Sequence, residues 1–157
     1  MTENTKSDDL VVGYELPAFS RTTDLGNWNR FAAVNDEFVH MHMDDDAGRA
    51  AGYPAAFGMG NLQWAYLHSA LREWLGDNGE IRSLSCQFRS PNLKGQTVTA
   101  RASVTDIERT SEETIVSLDI WTETEEGLQL APGRSVVVLS DDGHFHQSQR
   151  SERCVTG

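Results

Sequence analysis

Residues 58–75, GMGNLQWAYLHSALREWL, decide the fold because they predict one long helix with little polar surface. Apolar residues recur along it at helical spacing, and further apolar residues fill most of the remaining positions. The main stripe consists of Met59, Leu62, Tyr66, Ala70 and Trp74. A helix that is apolar nearly all round is buried in its domain, and Gly76 is a suitable residue to end it.

After Gly79 the spacing of apolar residues changes from the helical period to a period of two. Strict alternation over several residues predicts half-buried β-strands. The predicted strands are 83–88, 97–104, 116–121 and the continuous apolar run 136–139, with turns at 91–95 and 125–127. Each turn contains a glycine, which permits backbone angles that other residues avoid.

One buried helix followed by an antiparallel meander predicts an α+β domain, because the sheet must wrap around the helix to cover both apolar faces. A chain of 157 residues is long enough for one such domain and its core. We expect residues 1–13 to form a polar arm, residues 14–140 the domain, and the polar residues 141–157 a flexible tail.

The formal net charge of −11 argues against nucleic acid as a partner, since no basic stripe runs along the chain. An acidic chain can still bind an anionic ligand if a few local cations meet its phosphates. The candidates for that role are Arg89, Lys94, Arg101 and Arg109.

The two cysteines are not expected to pair. Cys86 lies in a strand-like run as a small buried hydrophobe, whereas Cys154 lies in the polar tail. The chain opens without a signal-peptide pattern, and no apolar run approaches the roughly 18 residues that a membrane span requires. The expected location is therefore cytoplasmic, with no membrane partner.

The candidate chemistry lies in residues 35–44, NDEFVHMHMD, between two helix-like segments. Asp24 is expected to cap the first helix, and Asp44 to cap a short second one. The break between them holds acids and two histidines, and such a break can aim an acid/base pair into a cleft.

Three motifs resemble the MaoC-like dehydratase, or R-specific enoyl-CoA hydratase, family. That family carries an Asp five residues before a His, usually with Asn-Pro between them, and a second Asp two residues after the His. Here Glu37 stands five residues before His42, and Asp44 stands two residues after it. Residues 57–59, Phe-Gly-Met, stand where the family usually has His-Gly-Met at the start of the central helix. Residues 88–98 resemble its strand, proline turn and returning strand.

The departures concern the catalytic motif. Val39 and His40 replace the usual Asn-Pro, Phe57 replaces the usual His, and the acid is either Glu37 or Asp36, one residue further from His42. The match to the fold is therefore stronger than the match to the catalytic residues.

The resemblance implies a hot-dog fold and a hydratase or dehydratase that interconverts 2-enoyl and 3-hydroxyacyl thioesters, of coenzyme A or of an acyl-carrier protein, with no cofactor. Such a reaction needs an acid/base pair, for which His42 and Glu37 are the candidates and Asp36 the rival acid. The Gly58 N–H, at the expected start of a buried helix, is the candidate donor to the thioester oxygen. The candidate substrate-binding residues are Phe57, Gly60, Trp64 and Arg89.

Other interpretations remain open at this point. The departures also suit a catalytically degenerate hot-dog subunit in a heteromeric complex, and a thioesterase would need an acid on the helix, where Asn61 and Gln63 stand. His40 and His42 give only two metal ligands with no evident third, so no metal is expected. An exposed edge strand predicts a homodimer or a higher oligomer, or a heteromer with another hot-dog subunit.

Overall fold

The structure, a computed structural model, describes residues 4–6, 9–111, 113–140 and 144–146. Its helices are α1 (Leu25–Asn35), α2 (Asp45–Ala50) and α3 (Gly60–Leu75), and a 3-10 turn, His40–His42, precedes α2. Its strands are β1 (Asn4–Lys6), β2 (Phe19–Thr22), β3 (Gly79–Cys86), β4 (Thr97–Arg109), β5 (Thr114–Glu123), β6 (Gly133–Leu139) and β7 (His144–His146).

Five strands form one antiparallel sheet in the order β2-β4-β5-β6-β3, and α3 packs against it. Alternate residues of β4 and β5 are buried and belong to the same apolar cluster as the inner face of α3. The helix followed by a meander, and the α+β class, are therefore confirmed. The remaining strands, β1 and β7, pair with each other.

The central helix is shorter and less enclosed than predicted. It begins at Gly60 rather than at residue 58, while its end at Gly76, with φ 55°, is as expected. Trp64 is 41% exposed, and Asn61 also faces solvent, because the sheet covers only one side of the helix within a single chain. The prediction of a helix buried all round is wrong for this exposed side.

One buried polar side chain ties α3 to the rest of the core. Gln63 is 1% exposed. Its Nε2 donates to the Ser90 carbonyl at 3.1 Å, and the Thr122 hydroxyl donates to its Oε1 at 2.6 Å. Both ends of the amide are thus used in cross-linking α3 to β5 and to the loop after β3, which leaves Gln63 no part in thioesterase chemistry.

The elements around the acidic break follow the sequence closely. Asp24 caps α1 with its carboxylate on the Asn27 N–H at 2.9 Å. Helix α1 ends at Asn35, because Asp36 takes the left-handed conformation with φ 53°. Asp44 caps α2, accepting from the Ala47 N–H at 2.8 Å. Both predicted caps are confirmed.

Ordered structure extends beyond residues 14–140 at both ends of the described chain. The packed chain begins before residue 14, since Leu10 is 2% exposed and the Gly13 N–H donates to the Val104 carbonyl at 2.8 Å. Residues 144–146 of the predicted flexible tail form β7, while 147–157, with Cys154, lie outside the described residues. Cys86 is half-buried and not disulfide-bonded, and burial raises the pKa of its thiol.

Within the described ranges, no helix is both long and apolar enough to cross a bilayer.

Candidate active site

His42 lies at the end of the 3-10 turn and is half-buried. Its Nδ1 is 2.8 Å from the Phe57 carbonyl oxygen, and its ring meets the Phe57 ring edge-on with the centroids 4.9 Å apart. A carbonyl can only accept, so Nδ1 carries the proton in this contact. The neutral imidazole therefore keeps its lone pair on Nε2, the nitrogen that can exchange a proton with a ligand.

Glu37 is held by a residue that the sequence did not identify as part of the site. Asn61, in the first turn of α3, donates from Nδ2 to both carboxylate oxygens of Glu37 at 3.1 and 3.2 Å. No direct ion pair or hydrogen bond joins Glu37 to His42 in the described part of the chain. Glu37 is instead hydrogen-bonded to Asn61 in the first turn of α3, and His42 to Phe57 just before that helix.

The rival acid, Asp36, has a different role. It is exposed, and its left-handed backbone with an N–H bonded to the Ala32 carbonyl ends α1. No hydrogen bond of its carboxylate is seen among the described residues. The structure therefore favours Glu37 over Asp36 as the acid oriented towards α3.

The Gly58 N–H, the predicted oxyanion donor, has a hydrogen-bond partner in this structure. That N–H already donates to the Asn92 carbonyl at 2.8 Å, and Gly58 lies two residues before α3 begins. A Cβ at Gly58 would lie 2.2 Å from Asn92 Oδ1, so glycine is required here for close packing rather than for access to a ligand.

Gly60, predicted to bind substrate, is the first residue of α3. The first N–H groups of a helix have no partner within the helix, and the helix dipole places partial positive charge there. The Phe88 ring packs against the Gly60 backbone, where a Cβ would lie only 2.5 Å from a ring carbon. The amide at the start of α3 therefore lies where the helix dipole favours negative charge, whereas the Gly58 N–H is already bonded to Asn92.

The other predicted substrate-binding residues are spread over the surface and the core. Phe57 is only 7% exposed, and its ring packs against those of His42 and Tyr53. It therefore supports the histidine and is not open to a ligand. Trp64 is exposed on α3 and stacks on His68, with ring centroids 5.6 Å apart. Arg89 is exposed, and its guanidinium donates to the Gln87 amide oxygen.

Two of the four cations proposed for phosphate binding are paired with carboxylates. Lys94 Nζ contacts both oxygens of Asp45 at 2.9 and 3.0 Å, and Arg101 Nε donates to Glu123. Arg109 donates to the Leu10 carbonyl at 3.0 Å. Arg89 is therefore the cation best placed to meet an anionic ligand.

A cavity of about 650 Å³ lies elsewhere, between the ends of β3, β5 and β6. Its walls include Cys86, Asp119, Trp121 and Arg134, but none of the predicted site residues. Cavity size alone does not supply acid/base chemistry, so the histidine and carboxylate at α3 remain the candidate site. Within the described residues, no group of three His, Cys, Asp or Glu side chains is arranged to hold a metal ion.

Comparison with solved structures supports the fold. The (R)-hydratase from A. caviae, described as involved in PHA biosynthesis, aligns with a TM-score of 0.74 at 24% identity, over 83% of this chain and 98% of that one. The R-hydratase PhaJ1 from Pseudomonas aeruginosa aligns with a TM-score of 0.79 at 17% identity, over 98% and 97%. The expected hot-dog architecture, a curled antiparallel sheet against a long helix, is confirmed by these likenesses.

The ChsH1-ChsH2 complex from Mycobacterium tuberculosis gives a TM-score of 0.72 at 19% identity, over 82% of this chain and 98% of the matched one. A search of curated proteins gave no match. The model of the MaoC-like domain matches residues 15–125, which is more than half of the chain. The chain therefore belongs to the MaoC-like domain family.

Proposed function

We propose that this protein is a hydratase or dehydratase that interconverts a 2-enoyl thioester and a 3-hydroxyacyl thioester of coenzyme A. Membership of the MaoC-like domain family supports the reaction class. The observation that carries the proposal is the 2.8 Å contact between His42 Nδ1 and the Phe57 carbonyl, because it leaves Nε2 available as a base.

In the hydration direction, His42 Nε2 removes a proton from a water molecule as the oxygen of that water attacks C3 of the enoyl group. The resulting imidazolium then gives a proton to C2, so that H and OH add across the double bond and the enzyme is restored. Dehydration follows the same steps in reverse.

Glu37 has a supporting role in this mechanism. Its ionised carboxylate accepts a hydrogen bond from the attacking water and stabilises the imidazolium. Asn61 Nδ2 holds both carboxylate oxygens, which restricts the rotation of the Glu37 side chain and so helps to place the water.

Attack at C3 moves negative charge onto the thioester oxygen. We assign the donor for that charge to the Gly60 amide at the start of α3, where the dipole of a 16-residue helix adds to the hydrogen bond. The acyl chain then lies along the exposed side of α3 near Trp64, and Arg89 meets the phosphates of coenzyme A.

The protein is also proposed to act as an oligomer. Strands β2 and β3 are the edges of the sheet, and apolar side chains beside the site are exposed. These are Phe38, Val39, Met41, Tyr53 and Trp64. Association would cover both an edge and this apolar surface.

A second candidate, a hot-dog subunit that is inactive alone, is favoured by one observation. Phe57 stands where the family usually carries a His, and its ring is buried with no group that can transfer a proton. The likeness to ChsH1-ChsH2, a complex of two different chains by its name, also supports association with a different subunit.

The test is hydration of an enoyl-CoA panel, from crotonyl to long-chain, by the purified protein, followed as loss of the conjugated thioester absorbance. We expect Glu37→Gln to reduce turnover by about 10²-fold or more, and the matched Asp36→Asn variant to keep it within a few-fold. The opposite ranking would assign the supporting carboxylate to Asp36. Turnover on no acyl length by the protein alone would favour the second candidate, to be tested with a partner subunit.

A further inference from the structure

We infer that Asp45, together with Lys94, is a positioning residue for His42. It sets the separation between the segment that carries the histidine, 42–45, and the segment whose carbonyl holds the imidazole, 55–58. The inference rests on the proposed function of His42 as the acid/base group.

Two neighbouring side-chain contacts join these segments. His42 Nδ1 donates to the Phe57 carbonyl at 2.8 Å, and the Ala56 N–H donates to Asp45 Oδ1 at 3.1 Å. Ala56 and Phe57 are adjacent on one segment, and His42 and Asp45 are three positions apart on the other. The geometry of the histidine contact therefore depends on the aspartate contact beside it.

Lys94 contacts the same carboxylate. Its Nζ lies 3.0 and 2.9 Å from the two oxygens of Asp45. Lys94 belongs to the 91–95 turn, whose Leu93 forms a bridge with Phe57 and whose Asn92 carbonyl accepts from the Gly58 N–H. The turn thus holds the 55–58 segment both directly and through Asp45.

Helix α2 packs tightly against the 55–58 segment. Gly48 of α2 is buried, and a Cβ there would lie 2.2 Å from the Ala55 carbonyl oxygen. Only glycine allows the helix to approach so closely. A shift of α2 away from the segment would break the Asp45 contact and the His42 contact together.

The ion pair contributes through geometry rather than through stability. Asp45 and Lys94 are each 38% exposed, and ion pairs this close to solvent stabilise a fold only slightly. The hydrogen bond from Lys94 and then that from Ala56 lower the pKa of Asp45, so the carboxylate stays ionised and remains an acceptor. Misplacement of a catalytic group by about 1 Å can cost about 10²-fold in rate.

Three variants test the inference. Asp45→Ala removes both contacts, Asp45→Asn keeps an oxygen that can accept from the Ala56 N–H, and Lys94→Met removes the ion pair alone. The control is Asp46→Ala, which removes an exposed acid from the same helix, where it pairs with Arg49; among the described residues no side-chain hydrogen bond or ion pair of Asp46 reaches the 55–58 segment.

Two readouts are needed: the protonated nitrogen of the His42 ring, measured by ¹⁵N NMR of labelled protein, and kcat with KM for an enoyl-CoA substrate. We expect Asp45→Ala to convert His42 from the Nδ1–H form to a mixture of tautomers and to lower kcat about tenfold, with KM nearly unchanged. Lys94→Met should lower kcat about two- to threefold, and Asp45→Asn should restore most of the loss. Asp46→Ala should change neither readout.

The inference is overturned if folded Asp45→Ala keeps both the tautomer and kcat, or if Asp46→Ala causes the same changes. Should Asp45→Ala not fold, an unaltered tautomer and kcat in Lys94→Met would overturn it as well. A tautomer shift in Asp45→Ala with no hydration by the wild-type protein would uphold the positioning contact and refute the proposed function.

Discussion

The most demanding structural prediction concerns Gln63, the buried amide that joins α3 to the sheet. Gln63→Met keeps the length of the side chain but removes the bonds to the Ser90 carbonyl and the Thr122 hydroxyl. Thr122 is fully buried, so its hydroxyl would lose its partner without access to water. At about 1–3 kcal/mol for each of the two groups left without a partner, the expected loss of unfolding free energy is about 2–6 kcal/mol.

Urea unfolding of the wild type, Gln63→Met, Thr122→Val and the double variant measures this loss and separates its parts. Thr122→Val alone leaves the Gln63 oxygen unsatisfied, whereas the double variant removes donor and acceptor together. The sum of the losses of unfolding free energy in the two single variants should therefore exceed the loss in the double variant by about 1 kcal/mol. A Gln63→Met variant within about 0.5 kcal/mol of the wild type would refute the role of this amide.

Two further predictions concern packing and pH. Gly58→Ala places a methyl carbon 2.2 Å from Asn92 Oδ1, which is too close for van der Waals contact. The free energy of unfolding measured in urea should therefore fall by about 1–3 kcal/mol. An unchanged value would contradict the close approach. Burial tends to raise the pKa of Glu123, but hydrogen bonds from Trp121 and Arg101 outweigh it and hold that pKa below its ordinary value of 4.5. A lowered folded-state pKa contributes stability above the unfolded pKa and loses it as pH falls through the folded one. The Tm advantage of the wild type over Glu123→Gln should therefore be full near pH 7 and shrink below about pH 5, and a gap that widens with acid would contradict this sign.

The elements that sequence predicted well are those with a regular apolar period. Helix α3 and strands β4 and β5 have buried residues at every helical turn or every second position, and both aspartate caps were identified from local sequence. Strand β2 was not predicted, because it has four residues and buries only Phe19. A pattern this short does not distinguish a strand from a loop.

The site depends on contacts between residues far apart in sequence, and there prediction was weaker. The helix start moves from residue 58 to Gly60 because the Gly58 N–H bonds to Asn92, 34 positions later in the chain. Asn61 looks like any solvated residue at a helix start until its contact with Glu37, across 24 positions, is known. Lys94 was predicted to meet phosphate, and its pairing with Asp45 spans 49 positions. Such contacts have no periodic signal.

The proposed role of His42 as the acid/base group of a hydratase is tested by the rate of crotonyl-CoA hydration for the wild-type protein and for His42→Ala of equal Tm. We expect measurable hydration by the wild type and a loss of at least about 10²-fold in the variant. Hydration at an equal rate by both proteins would contradict it, because the proton would then be moved by another group.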